Sequence, residues 1–192
     1  MIAILKYNAG NTTSVENAIK KLGEEVVVTD NITVLKSATK VIFPGVGEAS
    51  TAMNYLQKRG LDKVIQSLKQ PVLGICLGMQ LLCEFSEEGN TKGLGIFPLK
   101  VRKFPPRGIV PHIGWNNFTE VKNQLFEGIS ADSDMYFVHS YYAEIGAETV
   151  GITDYLLPFS SALQKDNFYA VQFHPEKSAE IGSILLKNFL NL

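Results

Sequence analysis

Residues 71–82 read PVLGICLGMQLL, and no other stretch limits the fold so tightly. The apolar run Val72–Ile75 suits a strand buried on both faces, as in a parallel sheet. Gly74-Ile-Cys76-Leu-Gly78 then turns the chain straight into a helix, the arrangement of a nucleophile elbow with cysteine in place of serine. Glycine at 74 and 78 has a steric reason: in so tight a turn, a side chain at either position would strike the neighbouring strand or helix. The elbow lifts the sulfur to the carboxyl end of the sheet, beside the positive end of the next helix, which favours thiolate. The Leu77 N–H then points to where an oxyanion would form. A buried cysteine in an ordinary strand-to-helix turn would share the pattern, since cysteine is among the most buried residue types.

The rest of the first half predicts strands at Met1–Leu5, Glu25–Thr29 and Lys40–Phe43, and helices at Ser14–Leu22, Ala49–Arg59 and Leu61–Lys69, the last two broken by Gly60. The elbow helix is expected over Gly78–Phe85. Strands alternating with helices give an α/β fold, an open, mainly parallel and flavodoxin-like sheet flanked by helices. In the second half, Gly93, Gly95, Pro98, Pro105, Pro106, Gly108 and Pro111 separate short runs such as Tyr136–Val138 and Phe168–Phe173, which predict antiparallel hairpins added to that sheet. A helix over Ala179–Leu190 closes the chain. With 192 residues, 45% of them hydrophobic, and no repeat or linker, a single domain over 1–192 is expected.

A formal net charge of −1 gives no basic footprint for nucleic acid. MIAIL meets Lys6 too soon for a signal peptide, and no later apolar run approaches the roughly 18 residues of a membrane span, so a cytoplasmic protein is expected. If Cys76 and Cys83 share the predicted helix, their Cα atoms lie about 10 Å apart, beyond disulfide reach. Two reduced thiols and no metal site are expected. Cys83, without flanking glycines, fits a core position.

A cysteine nucleophile needs a base, and the histidines are His112, His139 and His174. His174 ends an apolar strand in Val171-Gln-Phe-His-Pro-Glu-Lys-Ser178. Pro175 holds it extended, and Glu176 can accept the imidazole N–H that faces away from the sulfur, which completes a Cys-His-Glu triad. A solvated His-Pro-Glu turn would look the same in sequence. Phe43-Pro-Gly-Val46-Gly47 follows a strand placed beside Val72–Ile75, and its glycines let Val46 or Gly47 present a second N–H to an oxyanion; a flexible loop is the alternative.

In order and spacing along nearly the whole chain, these segments resemble the class I (triad) glutamine amidotransferases. Pro44-Gly-Val-Gly47, Pro111-His-Ile-Gly-Trp-Asn116, Tyr136-Phe-Val-His-Ser-Tyr-Tyr142 and Gln172-Phe-His-Pro-Glu-Lys-Ser178 resemble, within them, the glutaminase subunits of imidazole glycerol phosphate synthases. The first loop, Asn8 to Ser14, is similar too, although Asn8 and Ala9 stand where an acidic or aromatic residue and a glycine are expected. The resemblance implies that Gln80 and Glu88 hold the amino-acid end of glutamine, with Glu87 adjacent and one register step away. It implies that Gly47 and the backbone of His139, Ser140 and Tyr141 complete that pocket. It sets Trp115, Tyr136 and Lys177 near an ammonia exit and a partner-facing surface, although as residue types they fit two core aromatics and a solvated lysine equally.

The activity so implied is hydrolysis of L-glutamine to L-glutamate and ammonia through a glutamyl thioester, with no cofactor. Ammonia becomes unreactive ammonium in neutral water, so a channel into a partner is implied. In the family that partner is the cyclase subunit of the synthase, a (β/α)₈ barrel, forming a heterodimer in histidine biosynthesis. The alternatives are service to an anthranilate or pyridoxal phosphate synthase, a catalytically dead subunit kept for interaction, and a flavodoxin-like flavin-binding module. The last leaves Cys76 and His174 unexplained.

Overall fold

A computed structural model describes residues 1–192. In chain order its first half contains β1 (Ile2–Leu5), α1 (Thr12–Lys21), β2 (Val26–Thr29), α2 (Ile32–Ser37), β3 (Lys40–Phe43), α3 (Ala49–Lys58), α4 (Leu61–Ser67), β4 (Val72–Ile75) and α5 (Leu77–Leu82). There follow β5 (Cys83–Ser86), β6 (Thr91–Lys92), β7 (Phe97–Lys103), β8 (His112–Asn116), β9 (Glu120–Val121), β10 (Met135–His139), β11 (Tyr141–Ala143), β12 (Thr149–Tyr155), β13 (Leu157–Lys165), β14 (Phe168–Val171) and α6 (Ala179–Asn191).

The parallel part of the sheet runs β2-β1-β3-β4-β14, and β13, β11 and β7 continue it antiparallel. The expected mainly parallel sheet with added antiparallel strands is therefore what forms. Successive strand residues point to opposite faces. Ile2 and Ile4 join Val15 and Ile19 of α1 and Leu185, Leu186 and Phe189 of α6 in one core. Ala3 and Leu5 join residues of α3, α4 and α5 in the other. Covering both faces is why these strands read as unbroken apolar runs. No helix is long and apolar enough to cross a membrane.

Three features depart from the sequence reading. The elbow helix stops at Leu82 instead of Phe85, and Cys83 opens β5, pairing in parallel with Phe97 of β7. The run LLCEF suits helix and strand alike, and tertiary pairing decides. Cys83 is fully buried, as expected of a core residue, and burial pushes its thiol well up. Helix α2, absent from the sequence reading, is nucleated by Asn31, whose side chain accepts from the Thr33 and Val34 N–H groups. Finally, β10 leaves the main sheet and pairs with β8 in a separate two-stranded ribbon. That ribbon stands over the carboxyl end of β4 and β14, since the His174 N–H donates to the Tyr136 carbonyl at 2.9 Å.

Candidate active site

The chain leaves β4 through Cys76 at φ +52° and ψ −108°, and α5 begins at the next residue. A positive φ is unfavourable for a residue with a Cβ and persists only where its surroundings enforce it. Here the Cys76 N–H donates to the Val171 carbonyl of β14 at 2.8 Å, while the Cys76 carbonyl accepts from the Gln80 N–H at 3.2 Å. A Cβ on Gly78 would overlap the Phe43 carbonyl of β3, and one on Gly74 would lie 3.0 Å from the Met79 nitrogen. The two glycines thus let strand and helix close onto the elbow, as the sequence required.

Cys76 is 7% exposed, through a cavity of about 330 Å³. Val46, Gly47, Leu77, Gln80, Glu88, His139, Ser140 and Tyr141 all line that cavity, so the structure gathers these sequence-selected residues into one place.

His174 and Glu176 sit at the end of β14, where Pro175–Lys177 makes a 3₁₀ turn. His174 Nδ1 lies 2.8 Å from Glu176 Oε1, which also accepts from Asn11 Nδ2 at 3.1 Å. His174 Nε2 is buried and closes no hydrogen bond. Burial works against the imidazolium, but the Cys76 sulfur and the Glu176 carboxylate outweigh it and raise His174 to about 10.

The donor segment is tied from below: Tyr7 Oη donates to the Pro44 carbonyl at 2.7 Å. Gly47 adopts φ +128° at the cavity rim. The Leu77 N–H, expected to face an oxyanion, instead donates to the Gly45 carbonyl at 3.3 Å. The glycine-rich segment has folded back onto the first turn of α5, and Leu77 offers this donor only after Gly45 moves.

At one end of the cavity stand Gln80 and Glu88. Glu88 is half-buried and accepts the Ala49 N–H at 2.8 Å, and burial raises its pKa. Glu87 turns outward to Arg102 Nη1 at 2.9 Å and the Lys103 N–H at 2.8 Å. Of the adjacent carboxylates, Glu88 is the one at the cavity. Gln80 spends both Nε2 hydrogens inward, on the Tyr141 carbonyl at 3.0 Å and on Gln172 Oε1 at 2.9 Å, which leaves its own oxygen for a ligand.

Trp115, Tyr136 and Lys177 form one patch beside this site. Trp115 is 55% exposed, which sets aside the core-aromatic alternative, and its ring meets Tyr136 edge-on at 5.9 Å. Lys177 Nζ stands 5.9 Å from the Tyr136 ring centroid. Three site neighbours were missed from sequence. Asn11 braces Glu176, Tyr7 holds Pro44, and Gln172, fully buried, places Nε2 3.6 Å from Cys76 Sγ. Only Gln172 left a trace, as a polar residue within the apolar run 168–173.

The family profile described as glutamine amidotransferase class-I matches residues 3–192. The chain is 57% identical to the imidazole glycerol phosphate synthase subunit HisH of Bacteroides fragilis (strain YCH46), over 100% of this chain and 99% of the relative. It is 48% identical to the subunit of that name from Haemophilus influenzae (strain ATCC 51907 / DSM 11121 / KW20 / Rd), over 98% of this chain and 96% of the relative. Among solved structures, the crystal structure of a glutamine amidotransferase superposes with a TM-score of 0.75 at 18% identity, covering 99% of this chain and 97% of that one. That likeness speaks for the fold alone. With a cysteine elbow, a buried His-Glu pair and a match over almost its full length, the chain belongs to the class-I glutamine amidotransferase family, within the group of imidazole glycerol phosphate synthase subunits HisH.

Proposed function

We propose that the chain, acting as one domain, hydrolyses L-glutamine to L-glutamate and ammonia with Cys76 as nucleophile, His174 as acid and base, and Glu176 as the group that orients it. The observation that carries this reading is the strained Cys76 elbow, opening into a cavity behind which a sealed His174–Glu176 pair is held at 2.8 Å.

The sulfur attacks the carboxamide carbon of glutamine, and the charge that develops on oxygen is met by N–H groups of Val46 or Gly47 and of Leu77. His174, in the protonated form that pairs with the Cys76 thiolate, gives its proton to the leaving nitrogen, and the C–N bond breaks to release ammonia. A water then attacks the glutamyl thioester, His174 takes its proton, and the C–S bond breaks to give glutamate. The Gln80 oxygen and the Glu88 carboxylate face the substrate's α-ammonium, and the backbone of residues 139–141 faces its α-carboxylate. Because the Leu77 N–H rests on Gly45, the isolated chain turns over slowly, and full rate needs a rearranged Gly45–Gly47 segment.

The names of the relatives support a place as one subunit of an imidazole glycerol phosphate synthase; the reading extends this to ammonia delivery to the synthase's cyclase subunit, a (β/α)₈ barrel, within a cytoplasmic heterodimer that serves histidine biosynthesis. The patch of Trp115, Tyr136 and Lys177 is the proposed docking and exit surface. The test uses the assembled complex: Cys76→Ala loses glutamine-dependent product formation and keeps formation from added ammonium. Glutamine hydrolysis surviving in Cys76→Ala would remove Cys76 from the mechanism.

A further inference from the structure

One backbone carbonyl fixes the direction of a buried polar network that ends on the nucleophile. The Tyr141 oxygen can only accept, and it has two partners. His139 Nδ1 lies 2.7 Å from it and therefore carries hydrogen. Burial keeps the His139 ring neutral, so its Nε2 is a lone pair that accepts from His112 Nδ1 at 3.0 Å. Gln80 is the other partner, and its Nε2 sits 3.0 Å from the same oxygen. The Gln80 amide cannot be flipped without setting two oxygens against each other. Its second hydrogen points at Gln172, 2.9 Å away, and must meet Gln172 Oε1. Nothing then remains for the other end of Gln172 but to present its NH₂ to Cys76 Sγ, at 3.6 Å.

We propose that Gln172 is a further catalytic residue, an N–H donor to the Cys76 sulfur whose donor polarity is imposed from the glutamine pocket by the Tyr141 carbonyl acting through Gln80. A donor aimed at sulfur strengthens as the sulfur becomes negative, because hydrogen bonds to charged groups are about twice as strong as neutral ones. Gln172 thus favours the attacking form and holds it in one rotamer. Tyr141 also belongs to the segment whose N–H groups are proposed to hold the α-carboxylate, so substrate seating and sulfur activation share a residue. The inference rests on Cys76 being the nucleophile.

The test reads the sulfur directly. The full chain and its Gln172→Met and Gln172→Glu variants are reacted with iodoacetamide between about pH 5 and about pH 10, and carbamidomethylation at Cys76 is followed by mass spectrometry. The charged and titratable groups facing the sulfur, His174 with Glu176, Tyr7, His139 and Glu88, are common to all three proteins, and Gln172→Glu adds one carboxyl beside them. Near neutral pH, Gln172→Met reacts about tenfold more slowly than the parent, and Gln172→Glu, which once ionised has no donor and sets a like charge against the thiolate, more slowly still. Near pH 10 the three rates come within about threefold, since most free thiols are then ionised. Equal rates at neutral pH overturn the proposal. So does a loss that is the same at every pH, which would mark a packing effect. If Gln172→Met does not fold, Gln172→Leu, likewise uncharged and without a donor, takes its place. Glutamine hydrolysis by the parent and by Cys76→Ala, measured in parallel, tests the nucleophile assignment separately.

Discussion

His174 Nδ1 lies 2.8 Å from Glu176 Oε1, and each side chain is only 1% exposed. The Cys76 sulfur and this carboxylate raise His174 to about 10 against the effect of burial, whereas an unfolded imidazole titrates near about 6.5. The stability from this site is complete below about pH 6.5 and is lost as pH rises toward about 10. His112 and His139 act in the opposite sense, since burial lowers them to about 4 and about 3. As pH falls below about 6.5 the unfolded chain takes up protons first, and stability falls. The histidines therefore place the highest Tm near about pH 6.5, and Glu176→Gln flattens the alkaline side while lowering glutamine turnover at least about tenfold. Calorimetric scans across pH check this; a parent Tm still climbing at about pH 9 contradicts it.

Cys76 holds φ +52°, a strain of about 1–3 kcal/mol that glycine does not feel. Cys76→Gly is expected to abolish turnover yet stabilise the chain by about 1 kcal/mol, a Tm rise of about 3 °C. Thermal unfolding of Cys76→Gly beside Cys76→Ala, which keeps the strain, separates this from loss of the sulfur. A Tm lower than that of Cys76→Ala would show that the elbow stores no strain.

Gly78 touches the Phe43 carbonyl so closely that any Cβ overlaps it. Gly78→Ala must push α5 off β3, and a loss of about 3 kcal/mol or more is expected in denaturant titration. A loss under about 1 kcal/mol would mean that the elbow opens freely.

Glu88 lines the cavity, while Glu87 faces Arg102 and Lys103. Glu88→Gln should raise the glutamine KM about tenfold, a loss of the size of one charge-assisted contact. Glu87→Gln should leave KM within about twofold and change stability by under about 1 kcal/mol, as exposed ion pairs do. Steady-state kinetics on the assembled complex tells them apart; a KM effect in Glu87→Gln alone reverses the assignment.

What could be read from the sequence was whatever depends on near neighbours. Gly74, Cys76 and Gly78 disclosed the elbow because sterics at a turn act over a few residues. His174 and Glu176 disclosed their pairing because Pro175 fixes the backbone between them. Cys83 misled, since LLCEF satisfies both periodicities and only β7, pairing at Phe97, selects strand. The Leu77 N–H was expected at an oxyanion, and its engagement by Gly45 depends on a loop from another strand. Gln172, Gln80 and Tyr141 come from three separate segments, so no local pattern announces the hydrogen bonds that join them.

The pairing of β14 with β4, Val171 beside Ile75, has a consequence in time as well as in space. During synthesis the Cys76 thiol emerges almost a hundred residues before Gln172, His174 and Glu176. A nascent polypeptide stopped before Phe168 carries β4 with one edge bare and Cys76 with no base beside it. On the proposed mechanism, Cys76 in such a chain is expected to be alkylated no faster than an ordinary thiol until β14 docks against β4.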